Sequence, residues 1–197
     1  MKNIIDIKAI TAGFAIAIGG IAYLISGSPW VFPIGLFIIC YFNLHLFTGK
    51  VPYVKSYTEI STLIKILLWN IISAILIGII CHYGFPAIVA QALTIIQTKL
   101  NLPYWVLILK AIFCNIMIYI AVDIYKNNNN PIIQLFGLEF ATAIFVLCGF
   151  EHCIANAFYI GCANLLNQKS ILFLLINAIG NACGGIIGCK MLRKEKE

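Results

Sequence analysis

Apolar runs of about 20 residues recur along most of the chain, and they restrict its fold more than any other feature. A helix needs about 20 apolar residues to cross the hydrocarbon core of a bilayer. Because backbone polar groups find no water in hydrocarbon, a helix must satisfy them internally. The sequence therefore predicts an all-α integral membrane protein with six transmembrane helices. The runs cover about residues 9–26, 31–47, 60–82, 103–125, 132–149 with a continuation over 152–166, and 171–191.

The composition supports a membrane protein. Of the 197 residues, 62% are hydrophobic and 10% are charged, whereas a soluble domain carries about 25% charged residues. The net charge of +6 does not indicate a nucleic-acid partner, because the basic residues are spread between the apolar runs and form no stripe. The seven acidic residues are scattered as well, so we expect no enzymatic activity.

The eight cysteines and the N-terminal run each have a simple interpretation. The cysteines lie almost all inside apolar runs, and no pair has the C-x-x-C spacing of a metal or redox site. We interpret them as small apolar residues of a helix bundle, and we expect no metal and no cofactor. The first run follows a basic start, as in a signal peptide, but it lacks a small-residue cleavage site and is interpreted as a membrane helix.

Two of the apolar runs contain polar residues and glycine. The second run passes into NLHLFTGKVP (Asn43 to Pro52), and the fifth passes into CGFEHCIAN (Cys148 to Asn156). An ionisable side chain at mid-depth in the bilayer costs roughly 2.5–3.5 kcal/mol on insertion scales. Because both runs continue after the interruption, the sequence predicts two broken helices whose irregular backbone is buried in protein or lines a watery cavity.

The two interruptions lie at corresponding places in the two halves of the chain, one at Thr48 and the other at His152. Each half holds three membrane elements, and the interruption falls in the second. Because each half has an odd number of spans, the second half is inverted relative to the first, as in many transporters and channels. We therefore expect a single transmembrane channel domain, 1–197, built from two inverted repeats over about 9–83 and 102–192.

The distribution of lysine and arginine predicts the orientation of the chain. With six spans, most of these residues fall on the side of the two termini, and only Lys99 and Lys169 lie in loops on the other side. Positively charged loops stay in the cytoplasm. Both termini are therefore expected in the cytoplasm, with the chain in the inner (cytoplasmic) membrane and residues 126–131 forming a cytoplasmic turn between the repeats.

Three segments in register resemble the formate–nitrite transporter family of pentameric anion channels. GFEHCIANAF is similar to the family pattern GFEH-x-x-AN, LFTG (Leu46 to Gly49) to the loop that interrupts its second helix, and LKAIFCNIMIYIAV (Leu109 to Val122) to its fourth helix. The resemblance implies an aquaporin-like protomer with its own pore, and a homopentamer in the lipid bilayer. It also implies passage of small monovalent anions of weak acids, with formate favoured and nitrite and hydrosulfide as alternatives.

The resemblance gives roles to polar residues near the interruptions. It places His152, Thr48 and Asn115 at a central pore site for the proton and the anion, with Asn115 orienting the imidazole. It places Lys99 in a vestibule, where a cation attracts anions. From the residues alone, His152 is interpreted as a structural histidine bonded to a neighbouring carbonyl, and Thr48 as a helix cap.

The resemblance also assigns apolar and structural residues. The two hydrophobic constrictions would be built from Phe32, Leu36, Leu46, Phe47 and Phe145. The break of the fifth helix would be held by Glu151, Gly149 and Asn156. Without the resemblance, the apolar residues are ordinary core residues of a bundle. Lys110 is expected to extend toward the membrane surface or to pair with Glu139.

Two departures from the family and two alternative functions remain open. Only about eight residues precede the first span, which argues against gating by an N-terminal helix, and His45 stands where the family commonly has a carboxylate or amide. One alternative is an aquaporin-like pore for neutral solutes, although paired NPA motifs are missing. The other is a haem-binding membrane anchor with His45, His82 and His152 as axial ligands. The resemblance fits either passive or proton-coupled passage of the anion.

Overall fold

The computed structural model describes residues 5–192 and shows only helices and connecting turns in that range. The all-α prediction is therefore confirmed. Short 3₁₀ turns occupy Pro29–Val31, Val51–Tyr53 and Tyr57–Glu59. The nine α-helices in the described range are α1 (Ile7–Ser26), α2 (Ile34–Tyr41), α3 (Phe47–Lys50), α4 (Ile60–Gly84), α5 (Pro86–Leu100), α6 (Tyr104–Asn127), α7 (Pro131–Leu147), α8 (Cys153–Cys162) and α9 (Gln168–Leu192).

Four of the helices, α1, α4, α6 and α9, are long and apolar enough to cross a membrane. Their outer faces are apolar as well. Along α4, for example, large side chains at four-residue spacing are exposed, so one whole face of this helix is apolar. Such a face fits contact with lipid or with a neighbouring protomer. These residues are Ile64, Leu68, Ile72, Leu76 and Ile80.

The predicted breaks in the second and fifth membrane elements are present. The second element stops at Tyr41 and resumes at Phe47, and the fifth stops at Leu147 and resumes at Cys153. Asn43 and Gly149 adopt left-handed backbone angles in the two breaks, with φ of 49° and 62°. Glycine takes this conformation because it has no Cβ, and asparagine because its short polar side chain bonds locally.

The backbone follows the same path through both breaks. The N–H of Leu44 donates to the carbonyl of Ile39 at 2.9 Å, and the N–H of Phe150 donates to the carbonyl of Phe145 at 3.0 Å. Each of these bonds spans five residues and closes the end of a helix around the left-handed residue. When Asn43 is aligned with Gly149, the residue of the first break that corresponds to His152 is Leu46. Thr48 therefore lies two residues after the position that corresponds to His152.

An asparagine from α4 holds the first break. The Asn70 amide donates to the carbonyls of Ala9 on α1, at 2.7 Å, and of His45, at 2.9 Å. Its Oδ1 accepts the N–H of Phe47 at 2.8 Å. Asn70 is fully buried, and it satisfies backbone groups that the interruption removes from a helical ladder.

An asparagine from α9 holds the second break in the same way. The Asn181 amide donates to the carbonyls of Ala111 on α6 and of Glu151, both at 2.8 Å. Its Oδ1 accepts the N–H of Cys153 at 2.9 Å. The two halves of the chain therefore share both the interruption and the side chain that stabilises it, although the sequence analysis singled out neither asparagine.

Close helix packing brings the interrupted elements together. Helix α8 packs along α4, and α6 packs along α9. At Gly78 on α4, an added Cβ would lie 2.4 Å from the carbonyl oxygen of Phe158 and 2.6 Å from the backbone nitrogen of Cys162. Only glycine permits this approach of the two helix backbones.

The segment between α4 and α6 differs from the prediction. The sequence analysis treated it as a loop that contains Lys99, but it forms the helix α5, which packs against α8. Ile88, Ala92 and Ile96 repeat at helical spacing and are buried, and Pro86 occupies the first helical position, where its missing N–H costs nothing. This helix places Lys99 inside the protein.

Candidate functional site

Thr48 and His152 meet where the two interrupted helices approach each other. Thr48 Oγ1 lies 3.0 Å from His152 Nε2, and both residues are buried. The N–H of Ala155 donates to His152 Nδ1 at 3.2 Å, so the imidazole caps the start of α8. Since Nδ1 accepts, the neutral ring carries its proton on Nε2 and donates it to Thr48 Oγ1. The threonine hydroxyl is then free to donate its own proton to a third group.

Two phenylalanines continue the site on one side of the histidine. The ring of Phe145 stacks on the imidazole of His152 with centroids 5.9 Å apart, and Phe32 meets Phe145 edge-to-face at 5.5 Å. These three residues and Lys99 border a cavity of about 80 Å³, which we call the phenylalanine cavity. Phe32 and Phe145 are therefore placed together beside His152.

A second cavity borders the leucines. Leu36 and Leu46 line a space of about 20 Å³ together with Lys50, Val122 and Lys126, and we call it the leucine cavity. The remaining predicted constriction residue, Phe47, lines neither of these two cavities, although its side chain is buried. The structure thus separates the predicted constriction residues into a phenylalanine pair, a leucine pair and Phe47.

Lys99 and Glu151 form an ion pair, which the sequence analysis did not predict. Their Nζ and Oε2 atoms are 2.8 Å apart, and the two side chains are 16% and 1% exposed. Lys99 borders the phenylalanine cavity, so its predicted vestibule role remains a prediction. The carboxylate compensates its positive charge, which weakens the attraction that a free lysine would exert on an anion.

Amides extend this ion pair into a buried network. The Asn156 amide donates to Glu151 Oε2 and to Asn177 Oδ1, both at 2.8 Å. Asn177 in turn donates to the carbonyl of Glu151 at 2.7 Å. Together with the left-handed Gly149, these contacts fix the backbone before α8. Sequence reasoning missed Asn177, although an amide inside an apolar run is itself a signal of a buried polar contact.

The predicted contact between Asn115 and His152 is absent. The Asn115 amide donates to the carbonyl of Asn181 at 2.7 Å, and both nitrogens of His152 already have other partners. The orientation of the imidazole is set by Thr48 and Ala155 instead. Within the described residues, Asn115 Oδ1 is buried without a hydrogen-bond partner. A buried acceptor of this kind requires a donor from water or from a bound solute.

Lys110 and Glu139 are not joined either. The two ion pairs of the described residues are Lys99–Glu151 and His45–Asp6. The Lys110 ammonium lies beside Gly149, 3.8 Å from where a Cβ would be. Of the two alternatives for Lys110, pairing with Glu139 is therefore wrong, and extension toward the membrane surface stays a prediction.

The other two histidines lie in separate environments. His82 Nδ1 contacts the carbonyl of Cys162 at 2.9 Å, and His45 Nδ1 contacts Asp6 Oδ2 at 2.8 Å. No three His, Cys, Asp or Glu residues in the range 5–192 are grouped so that they could hold a metal ion. No two of the histidines thus share a site, and nothing in the described structure favours a haem between them.

The Asp6 carboxylate contacts both the start of α1 and His45. Its carboxylate caps α1 by accepting the N–H of Ala9 at 3.0 Å and also contacts His45. Burial raises the pKa of Asp6, but the hydrogen bonds of His45 and Ala9 lower it by more in sum, so the pKa lies below its usual range. His45 stands in the first break where Glu151 stands in the second, and each makes a 2.8 Å contact with another titratable side chain.

Comparison with known proteins gives one family for nearly the whole chain. A family model described as formate/nitrite transporter matches residues 4–193. A probable formate transporter of Methanothermobacter thermautotrophicus is 26% identical over 92% of this chain and 77% of its own length. The formate channel FocA of Haemophilus influenzae is 25% identical over 78% of this chain and 64% of its own length.

Solved structures show the same fold. A pentameric formate channel with formate bound aligns with a TM-score of 0.79 at 21% identity, covering 93% of this chain and 91% of that chain. An ion channel described as belonging to the FNT family aligns with a TM-score of 0.84 at 17% identity, covering 92% and 85% of the two chains.

Proposed function

Because the chain belongs to the formate/nitrite transporter family, we propose that it forms a membrane channel for small monovalent anions of weak acids. Formate is the favoured substrate, and nitrite and hydrosulfide are the alternatives. The contact between Thr48 and His152 carries the proposal, because it supplies hydrogen-bond donors next to apolar side chains. His152 borders the phenylalanine cavity, and Leu46 and Gly49, which flank Phe47 and Thr48 in the sequence, border the leucine cavity.

The apolar residues on both sides of Thr48 and His152 form a barrier to a charged solute. Moving a bare anion past Phe32 and Phe145 on one side, or Leu36 and Leu46 on the other, removes its water without replacement, and burying an unpaired charge in this way is costly. Between the phenylalanine pair and the leucine pair, the Thr48 hydroxyl donates a hydrogen bond to the anion. A hydronium ion from the bulk solvent on the more acidic side supplies the proton, and the anion crosses the constriction as the neutral acid while water is released.

Neutral His152 suits this role. If Nδ1 gained a proton, the N–H of Ala155 would lose its acceptor and α8 would lose its cap. We therefore assign to His152 the task of donating Nε2–H to Thr48, which strengthens the threonine hydroxyl as a donor because successive hydrogen bonds polarise one another.

The proposed assembly is a homopentamer of protomers that each contain two inverted repeats. The pentameric formate channel that shares the fold supports the oligomer, and the matching breaks held by Asn70 and Asn181 support the repeats, over about 9–83 and 102–192. On this proposal the four long helices and the two interrupted ones make six membrane elements. Both termini then face the cytoplasm, and the protein lies in the cytoplasmic membrane.

Uptake into proteoliposomes tests the function. Formate, nitrite, hydrosulfide and lactate are compared at pH 5.5 and 7.5, with water and glycerol flux measured on the same vesicles. We expect formate, nitrite or hydrosulfide to enter faster than lactate, and faster at the lower pH. Rapid glycerol flux without anion flux would establish the neutral-solute pore instead.

A further inference from the structure

We propose that Tyr53 and Asp123 are positioning residues for the central site, because their hydrogen bond holds residues 47–53 where Thr48 reaches His152. We call this bond the tyrosine clasp. Its importance for transport rests on the proposed channel function, but its effect on the contact between Thr48 and His152 is measurable without any flux. The sequence analysis gave neither Tyr53 nor Asp123 a role.

The segment that carries Thr48 is too short to hold its own position. Helix α3 spans only Phe47–Lys50 and runs directly into the 3₁₀ turn Val51–Tyr53. A helix of one turn is unstable in isolation, because nucleating a helix costs more free energy than its first hydrogen bond returns. The position of Thr48 therefore depends on contacts that fix the two ends of this segment.

Side chains of two different helices hold the ends of the segment. At the first end, Asn70 Oδ1 on α4 accepts the N–H of Phe47 at 2.8 Å. At the second end, the hydroxyl of Tyr53 donates to Asp123 Oδ1 on α6 at 3.2 Å. The asparagine thus fixes the residue before Thr48, and the tyrosine clasp fixes the residue five positions after it.

Further contacts on α6 hold both partners of the clasp. Asn127 Nδ2, one turn along α6, donates to the same oxygen of Asp123 at 2.8 Å. Lys126 Nζ lies over the Tyr53 ring at 5.2 Å from its centroid, a favourable cation–π contact. The ring of Tyr119 lies 5.9 Å from that of Tyr53, centroid to centroid. A carboxylate accepts a stronger hydrogen bond than a neutral group, so the clasp fixes the hydroxyl end of a side chain whose ring is already held.

Helix α9 and a cavity border the same segment. An added Cβ at Gly185 on α9 would lie 3.0 Å from Pro52 Cγ and 3.1 Å from Val51 Cγ1, so the α9 backbone packs directly against the turn. Lys50 and Tyr53, in contrast, border a cavity of about 320 Å³. The segment therefore has unfilled space into which it can shift when the clasp is lost.

Such a shift would move only one partner of the central contact. His152 is held independently, because its Nδ1 accepts the N–H of Ala155 at 3.2 Å and its ring stacks on Phe145. Thr48 Oγ1 lies 3.0 Å from His152 Nε2. An increase of about 0.5 Å would take these two atoms beyond the usual range of a hydrogen bond, about 2.7–3.2 Å. Loss of the clasp thus weakens the contact without any change at His152 itself.

¹⁵N NMR of the full-length protein with labelled histidine, reconstituted in lipid bilayers, tests the clasp. The chain has three histidines, and the signals that disappear in His152→Asn identify those of His152. We expect Tyr53→Phe and Asp123→Leu each to move the His152 Nε2 signal by more than its linewidth, because the hydrogen bond to Thr48 is weakened. Asp123→Asn keeps an acceptor for the Tyr53 hydroxyl and should retain the wild-type signal.

Tyr41→Phe is the matched control, because Tyr41 is exposed and the substitution keeps the ring that stacks on Phe37. It should leave the His152 signal unchanged. The combination of Tyr53→Phe and Asp123→Leu should move the signal no further than either change alone, since both remove the same bond. An unchanged signal in an assembled Tyr53→Phe variant, or an equal shift in Tyr41→Phe, would overturn the proposal. If Asp123→Leu does not assemble, Tyr53→Phe decides alone by the same criterion.

Formate entry into proteoliposomes measures the consequence for transport. We expect Tyr53→Phe to lower the rate at least threefold and Tyr41→Phe to leave it unchanged. A wild type that carries no small anion would refute the channel function, whereas a shifted His152 signal in Tyr53→Phe would still support the clasp. A wild-type rate in an assembled Tyr53→Phe variant would overturn the claim that the clasp serves transport.

Discussion

Asn70 and Asn181 make the same three hydrogen bonds at the two helix breaks. Each amide donates to a carbonyl on the first helix of its half of the chain and to the carbonyl of the residue before the helix cap, which is His45 or Glu151. Each amide oxygen accepts the N–H of the first residue after the cap, Phe47 or Cys153. The relationship explains how two stretches of irregular backbone persist within a helical bundle, because the asparagine gives three backbone groups at each break a buried partner.

Replacing either asparagine should therefore destabilise the protein. Asn181→Ala leaves two carbonyls and one N–H unsatisfied, and a buried unsatisfied group costs about 1–3 kcal/mol. Thermal unfolding of the protein in detergent is the measurement, with Asn70→Ala expected to behave alike. Asn101→Ala, at an exposed turn, is the control, and an Asn181→Ala variant as stable as this control would argue against the role.

Lys99 and Glu151 should depend on each other. Lys99→Ala leaves a carboxylate buried and unpaired, and breaking a buried ion pair in this way costs about 3–5 kcal/mol. Combining it with Glu151→Gln removes the stranded charge and should recover part of the stability, while Lys169→Ala should have little effect. Unfolding curves in detergent decide the matter: additive effects of Lys99→Ala and Glu151→Gln would mean that the two residues are not coupled.

The phenylalanine pair should control the size of the solute that passes. Phe32→Ala together with Phe145→Ala enlarges the space beside His152, so lactate uptake should rise at least fivefold relative to formate uptake. Phe47→Ala is the comparison, because Phe47 lines neither cavity, and it should lower stability without changing selectivity. A selectivity change from Phe47→Ala but none from the pair would move the constriction to Phe47.

Asp6 should make stability depend on pH on the acid side. The pKa of Asp6 is lowered in the folded protein. Its contribution to the free energy of unfolding is therefore fully present above the unfolded pKa of about 3.9. That contribution is lost as the pH falls through the lower folded value. Asp6→Ala should cost about 1 kcal/mol at neutral pH by removing the cap of α1, whereas Asp6→Asn keeps a cap and loses only the negative charge beside His45. Melting curves of all three proteins at pH 3 and 7 test this, and identical acid sensitivity in Asp6→Ala and wild type would contradict it.

The sequence predicted the breaks well because their cause is local. A glycine and a set of polar residues inside an apolar run force the backbone out of the helix, and Gly149 lies at that point. The helix α5 also has a local signal, the four-residue spacing of Ile88, Ala92 and Ile96. The sequence analysis treated this segment as a loop because it is less apolar than the membrane spans on either side.

The sequence did not predict which residues the individual polar side chains contact. Lys99 and Glu151 are 52 residues apart, and their contact depends on how α5 packs against α8. Likewise, Asn115 lies on α6 as expected, but the packing of α9 gives its amide a closer acceptor than His152. Spacing along one helix is fixed by its periodicity, whereas contacts between helices depend on packing that no single segment encodes.

The rate of formate entry into proteoliposomes by His152→Phe, relative to wild type and across pH 5.5–7.5, tests the central claim most directly. The substitution keeps a ring beside Phe145 but removes the Nε2–H donor to Thr48 and the acceptor for the N–H of Ala155. We predict at least a tenfold loss of flux in a protein that still assembles, with His152→Asn retaining part of the flux because asparagine both caps a helix and donates. An assembled His152→Phe variant that conducts formate at the wild-type rate, with the wild-type pH profile, would contradict the account.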